Sequence, residues 1–246
     1  TVCGNTASSG AQIRGDSWID GGNNFISGDC DGVISVCPEG CDRSDLHEAI
    51  AVSVDGDVIQ IEEGTYLLNS TLSTNGKAIQ IQGAVDANGN PTTILDGQDQ
   101  GRIFSMDDGE DSSTVLENLV FTHGNYNEGA GLRLYNASPI IRNCVFTGNV
   151  ASSRGGGIHI SSNSSPLIEQ CHITSNQANS EGGGIYLYNS SSTPTLTDTM
   201  VCGNTASYEA QIRGDWWMEA WTRLSHQGLR SLRREGLALE SSFGGV

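Results

Sequence analysis

The stretch FTGNVASSRGGGIHI, Phe146 to Ile160, decides how this chain folds. An apolar residue leads into a polar turn, three glycines follow, and isoleucines then alternate with a polar residue. Variants of the stretch stand on both sides: FTHGNYNEGAGLRL from Phe121, ITSNQANSEGGGIYL from Ile173 and VCGNTASYEAQIRGD from Val201. Their leading residues lie 25, 27 and 28 positions apart. The first three segments run on through Ser- and Asn-rich turns to Pro139, Pro166 and Pro194, and then to IIRNCVF, LIEQCHI and TLTDTMV. One such unit is too small to bury its own apolar face, whereas stacked units bury Ile, Leu, Val and Phe in columns. A period near 27 without helical periodicity predicts a wound coil of strands. The column Asn149, Asn176 and Asn204 fits that reading, because Asn tolerates a left-handed turn and stacked amides can bond from coil to coil. The L-x-x-L-x-L pattern of leucine-rich repeats is absent.

Composition agrees. The 246 residues include 32 glycines, and 29 acidic side chains against 12 basic ones give a formal charge of −17. Such a composition suits a turn-rich β protein. The charge excludes nucleic acid as an expected partner, since a surface so acidic repels phosphate. No apolar run reaches the roughly 18–20 residues of a membrane span, so no membrane insertion is expected. Cysteines number seven. Cys37 with Cys41, and Cys3 with Cys30, are candidate disulfides of an exported protein. A zinc site from Cys30, Cys37, Cys41 and His47 lacks paired C-x-x-C spacing, and disulfides are preferred. Cys144 and Cys171 fall at equivalent places in adjacent units, inward, as a disulfide or a buried thiol stack.

FTGN followed by GGGI resembles the FxxN and GGA[ILV] repeats of chlamydial polymorphic outer-membrane proteins. More broadly the chain resembles the right-handed parallel β-helix, or pectate-lyase-like, superfamily. SDLHEAIAVSVDGDVIQIEEGTYLLNSTLSTNGKAIQIQGA, Ser44 to Ala84, is similar to the usual opening of such a helix. The resemblance spans roughly residues 42 to 215. It implies an all-β fold, a right-handed parallel β-helix with a short N-terminal capping helix. Read from the residues alone, Asp45 and Glu48 form a capping pair. Val58-Ile59-Gln60-Ile61 and Ile79-Gln80-Ile81 alternate as half-buried strands. The architecture hosts lyases, hydrolases, adhesins and phage spikes, so it does not settle function.

The phrase VCGNTAS…AQIRGD occurs twice, at Val2–Asp16 and at Val201–Asp215. Its second copy closes the stack, whereas the first precedes the helix, where no coil of this domain belongs. The expected organisation is therefore residues 1–30 as a stray terminal coil of a preceding repeat domain, 31–217 as the β-helix, and 218–246 as a tail. Residues 1–217 carry 8 basic and 26 acidic side chains, against 4 and 3 in 218–246. That tail reads either as an amphipathic helix covering the last coil or as a non-native segment. An uncovered strand edge invites pairing, so self-association through residues 1–18 is an expected partner mode. The two RGD copies belong to the repeat and are not taken as adhesion motifs. N-x-[ST] sites start at Asn69, Asn136, Asn163 and Asn189.

Equivalent positions of successive coils lie ~4.8 Å apart, so columns can be read as rungs. With Leu132, Ile158, Ile185 and Ile212 inward, the next column outward is Arg133, His159, Tyr186 and Arg213. Tyr135, Ser161, Tyr188 and Asp215 lie two positions on, and Glu128, Arg154, Glu181 and Tyr208 precede the glycines. The candidate ligand-binding face is thus Glu128, Arg133, Tyr135, Arg154, His159, Glu181, Tyr186 and Tyr188, residue types that grip or cleave sugars. Glu128 and Glu181 are expected roughly 9–10 Å apart, near the upper limit for an inverting pair. A solvated face of alternating Glu–Arg–Glu rungs explains the same residues and is preferred. No metal site and no cofactor are expected, calcium being the one cation considered. The acidic run MDDGED, Met106–Asp111, reads as a solvated loop, and His123 and His172 show no evident partner. The expected function is a non-catalytic extracellular or cell-surface module for binding, adhesion or structure, with a polysaccharide or surface glycan as partner. The alternative is a polysaccharide hydrolase or lyase using Glu128, Arg133, Arg154, His159, Glu181 and Tyr186.

Overall fold

A computed structural model describes residues 32–189 and 191–214. The readings that concern residues 1–30, the Cys3–Cys30 pair, Asp215 and the 218–246 tail lie outside them. The described chain is an all-β parallel solenoid of about seven turns with one short helix. Its first sheet stacks Val33–Val36, Val58–Ile61, Gln80–Gln82, Val115–Glu117, Ile140–Arg142, Leu167–Glu169 and Thr195–Thr197. A second holds Gly64–Leu67, Thr93–Asp96, Leu119–Thr122, Val145–Thr147, His172–Thr174 and Met200–Cys202. The third holds Leu72–Ser73, Phe104–Met106, Leu132–Tyr135, Ile158–Ser161, Ile185–Tyr188 and Ile212–Arg213. A narrow fourth ribbon joins Asn125–Glu128, Val150–Arg154 and Gln177–Ala178. Every strand pairs in parallel with its equivalent one coil away, in the register the repeat predicts: Leu132, Ile158, Ile185 and Ile212 form one column.

The interior is columnar because a parallel coil sets like residues on like. Phe121 lies over Phe146 with ring centroids 4.5 Å apart, and Ile141, Ile168, Ile158 and Ile185 are fully buried. The helix Leu46–Val52 closes the end of the stack with Leu46, Ala49 and Ile50 in the core. Asp45 is its N-cap, accepting the Glu48 N–H at 3.0 Å. The chain's one lysine finishes the other end, its ammonium donating to the carbonyls of Ile50 and Ala51, a favourable place for a cation.

The corners revise the reading of the asparagines. Asn149, Asn176 and Asn204 are not left-handed; the preceding Gly148, Ser175 and Gly203 take that conformation, with φ of 67, 57 and 65°. The asparagines instead turn inward and are buried. Asn149 donates from its backbone and side chain to Asn176 Oδ1 (3.1 and 2.9 Å), and Asn176 does the same to Asn204 Oδ1 (2.9 and 3.0 Å). Each amide thus saturates a corner that would otherwise bury unpaired polar groups. Left-handed Asn143, Gln170 and Asp198 break IIRNCVF, LIEQCHI and TLTDTMV into two strands apiece. Cys144 and Cys171 are buried free thiols at that corner, Cys171 Sγ accepting the Cys144 N–H at 3.4 Å.

Two further expectations are corrected. The run Met106–Asp111 is not simply a solvated loop: Met106 is in the core, and buried Glu110 accepts from the Thr74 hydroxyl (2.6 Å) and the Asp108 N–H (3.0 Å). Distant pieces of chain meet at that carboxylate, which sequence spacing cannot reveal. His123 has a partner as well, Asp96, at 3.1 Å from its Nδ1.

Candidate functional site

The expected face assembles where the third sheet meets the narrow ribbon. Pairing sets Glu128 against Arg154, Arg154 against Glu181, and Glu181 against Tyr208. On the neighbouring sheet Arg133, His159, Tyr186 and Arg213 are in register, as are Tyr135, Ser161 and Tyr188. Left-handed Gly129, Gly155 and Gly182 make the bend that turns one column toward the other, a conformation that costs glycine little.

The charged column is a ladder of alternating sign. Arg154 lies 3.7 Å from Glu128 and 3.2 Å from Glu181, and Arg213 reaches Glu181 at 3.4 Å. The Arg154 Nε–H makes no hydrogen bond, so its contact with Glu181 is Coulombic attraction without directed donation. Glu128 and Glu181 do not face each other across open space as an inverting pair requires, because the Arg154 guanidinium stands between them.

His159 keeps its outward place but is not solvated. Its ring points away from the core yet is only 4% exposed, stacked on Tyr186 with centroids 5.3 Å apart. Burial, then the nearby Arg133, Arg102 and Arg154, push its pKa down to about 3. The ring is therefore neutral near pH 7, and its 3.8 Å approach to Glu128 is not an ion pair there. Its Nδ1 has no hydrogen-bond partner. Tyr186 is also buried, whereas Tyr135 and Tyr188 are 43% and 52% exposed.

Arg102, Asp107 and Tyr126 belong to this face and were not foreseen. Arg102 donates to the carbonyls of Glu128 and Gly129 (2.8 and 3.0 Å) and lies over the Tyr126 ring at 4.2 Å. Burial first, then Arg133, lowers its pKa. Asp107 holds Arg133 at 2.9 Å. Residues 102–107 precede the recognisable repeats, so only the register of Phe104–Met106 with Leu132–Leu134 could have brought them in.

Away from this face, Cys37 and Cys41 form the expected disulfide, with an S–S distance of 1.99 Å. Their sulfurs and a Glu62 carboxylate oxygen lie within 4.8 Å of one another. With both sulfurs in the disulfide, no thiolate remains there to hold a metal. No helix among the described residues is long and apolar enough to cross a membrane.

No curated protein matches the chain. Among solved structures, Escherichia coli ybhc is similar at 11% identity and a TM-score of 0.43, over 85% of this chain and 70% of that one. A pectin methylesterase from Aspergillus niger is similar at 12% identity and a TM-score of 0.35, over 78% and 88%. Neither likeness carries an activity across. Residues 106–211 match the family model described as a right handed beta helix region, the stretch in which the parallel solenoid repeats most regularly.

Proposed function

We propose that this β-helix is a non-catalytic binding module of an extracellular or cell-surface protein, taking a polysaccharide along the face from Glu128 to Arg213. The observation that carries the reading is Arg154 lodged between Glu128 and Glu181. An inverting glycosidase keeps its carboxyl groups about 6.5–9.5 Å apart with a water between them. Here a guanidinium fills that space, so the two acids serve the ladder. Exposed Tyr135 and Tyr188 supply flat apolar surfaces with polar tips, suited to sugar rings. The Cys37–Cys41 disulfide fits an oxidising compartment. A hydrolase or lyase is the second reading, favoured by one feature, the buried His159 with its unpartnered Nδ1 beside Glu128.

The test is calorimetric binding to pectins, alginates, glucans and sulfated glycans, run with assays for new reducing ends and for ultraviolet absorbance of unsaturated products. At least one glycan is expected to bind without turnover, and Tyr135→Ala with Tyr188→Ala to weaken it about tenfold or more, as for lost stacking platforms. Turnover abolished by His159→Ala would replace the module with an enzyme. Absence of binding across the panel would end the glycan reading.

A further inference from the structure

Cys144 and Cys171 are buried free thiols in the core, and the Cys37–Cys41–Glu62 cluster is closed by its disulfide. The end of the asparagine ladder is different. Each rung is satisfied from the coil that follows: Gly124 N–H donates to Asn149 Oδ1, Asn149 to Asn176, and Asn176 to Asn204. Asn204 stands in the last coil described, and its acceptor comes from the same coil, seven residues on. Gln211 Oε1 accepts from the Asn204 N–H (3.2 Å) and from Asn204 Nδ2 (2.9 Å), while Gln211 Nε2 donates to the Asn204 carbonyl (3.2 Å). We propose that Gln211 is a stop for the ladder, occupying the place of the next asparagine and so barring a coil of a second copy of this chain from stacking there.

The glycine column supports the exclusion. Register aligns Gln211 with Gly184, which aligns in turn with Gly157. A Cβ at Gly157 would come within 3.1 Å of Asn176 Nδ2, and one at Gly184 within 2.8 Å of Asn204 Nδ2. The position must therefore stay empty wherever another asparagine coil follows. A glutamine there and a further rung are alternatives.

Closure matters because the last strands, Thr195–Thr197, Met200–Cys202 and Ile212–Arg213, end their sheets among the described residues. Their own Leu196, Val201 and Ile212 pack against the core only partly buried. Such an edge templates further pairing. The occupant it fits is a segment of this same chain: Val2–Asp16 repeats Val201–Asp215 with two differences and places Asn5 where Asn204 stands. Gln211 keeps that second-copy coil off.

Sedimentation velocity of the full chain over a range of concentrations tests the proposal, with circular dichroism melts as the check on folding. The native chain is expected to be monomeric. Gln211→Gly should self-associate at least tenfold more strongly, and adding Asn5→Ala should reverse that gain. If Gln211→Gly gives no cooperative melt, Gln211→Ser is measured in its place. Unchanged association, association indifferent to Asn5→Ala, or assembly of the native chain through Asn5 would each overturn the proposal. So would failure of both variants to fold, since Gln211 would then be a folding determinant.

Discussion

His159 shows how far a single residue's chemistry depends on its neighbours. GGGIHI alone offers an outward, solvated imidazole; stacking by Tyr186 and the approach of three arginines make it a buried neutral ring. That difference has a pH signature. The unfolded chain takes up the proton near the ordinary value of 6.5, whereas the folded chain resists it to about 3. Stability from this group is therefore undiminished above about pH 6.5 and falls as pH drops through that value, by up to about 1.4 kcal/mol per unit. Urea unfolding of the native chain and of His159→Gln is expected to diverge by about 2 kcal/mol between pH 6 and pH 4. Parallel acid limbs in the two proteins would show that the ring is not held neutral. The same residue marks a limit of sequence reading: column membership could be counted, but burial of an outward side chain required the arginines and tyrosines of both adjoining strands.

At the scale of the elements, the corners carry specificity that the flat strands do not. A parallel strand accepts any β-branched or aromatic residue of suitable size, whereas the Asn149–Asn176–Asn204 corner needs one donor and acceptor geometry at every rung. Asn176→Ala removes the acceptor for two Asn149 donors and the donor to the Phe146 carbonyl. Its expected cost is about 3 kcal/mol in chemical denaturation, the scale of leaving buried groups unpaired. Asn127→Ala, an exposed asparagine that accepts from Ser152, should change stability by less than about 0.5 kcal/mol. Equal effects would mean that the ladder is not structural. Periodicity made the asparagine column visible. It could not show the direction in which the side chains turn, and the left-handed residue proved to be the one before.

For the whole molecule, a formal charge of −17 means that acidic groups repel one another. The ladder ion pairs are partly buried, so salt screens them less than it screens that repulsion. The thermal midpoint is therefore expected to rise between about 10 mM and 150 mM sodium chloride, where the screening length shortens from about 30 Å to 8 Å. A falling midpoint would show that surface pairing outweighs self-repulsion. By itself the sequence determined the coil: its period and its inward column follow from local pattern, because a parallel solenoid repeats in space what it repeats in sequence. The capping helix was implied by the family resemblance, and Cys37–Cys41 was one candidate disulfide that the structure forms. Only the tertiary structure decided what the outward face is. Arg154 closes the gap between Glu128 and Glu181, and Arg102 and Asp107 arrive from a coil whose sequence does not repeat. Those contacts depend on side chains converging across two sheets. Convergence is set by the bend at each glycine, which no single strand encodes.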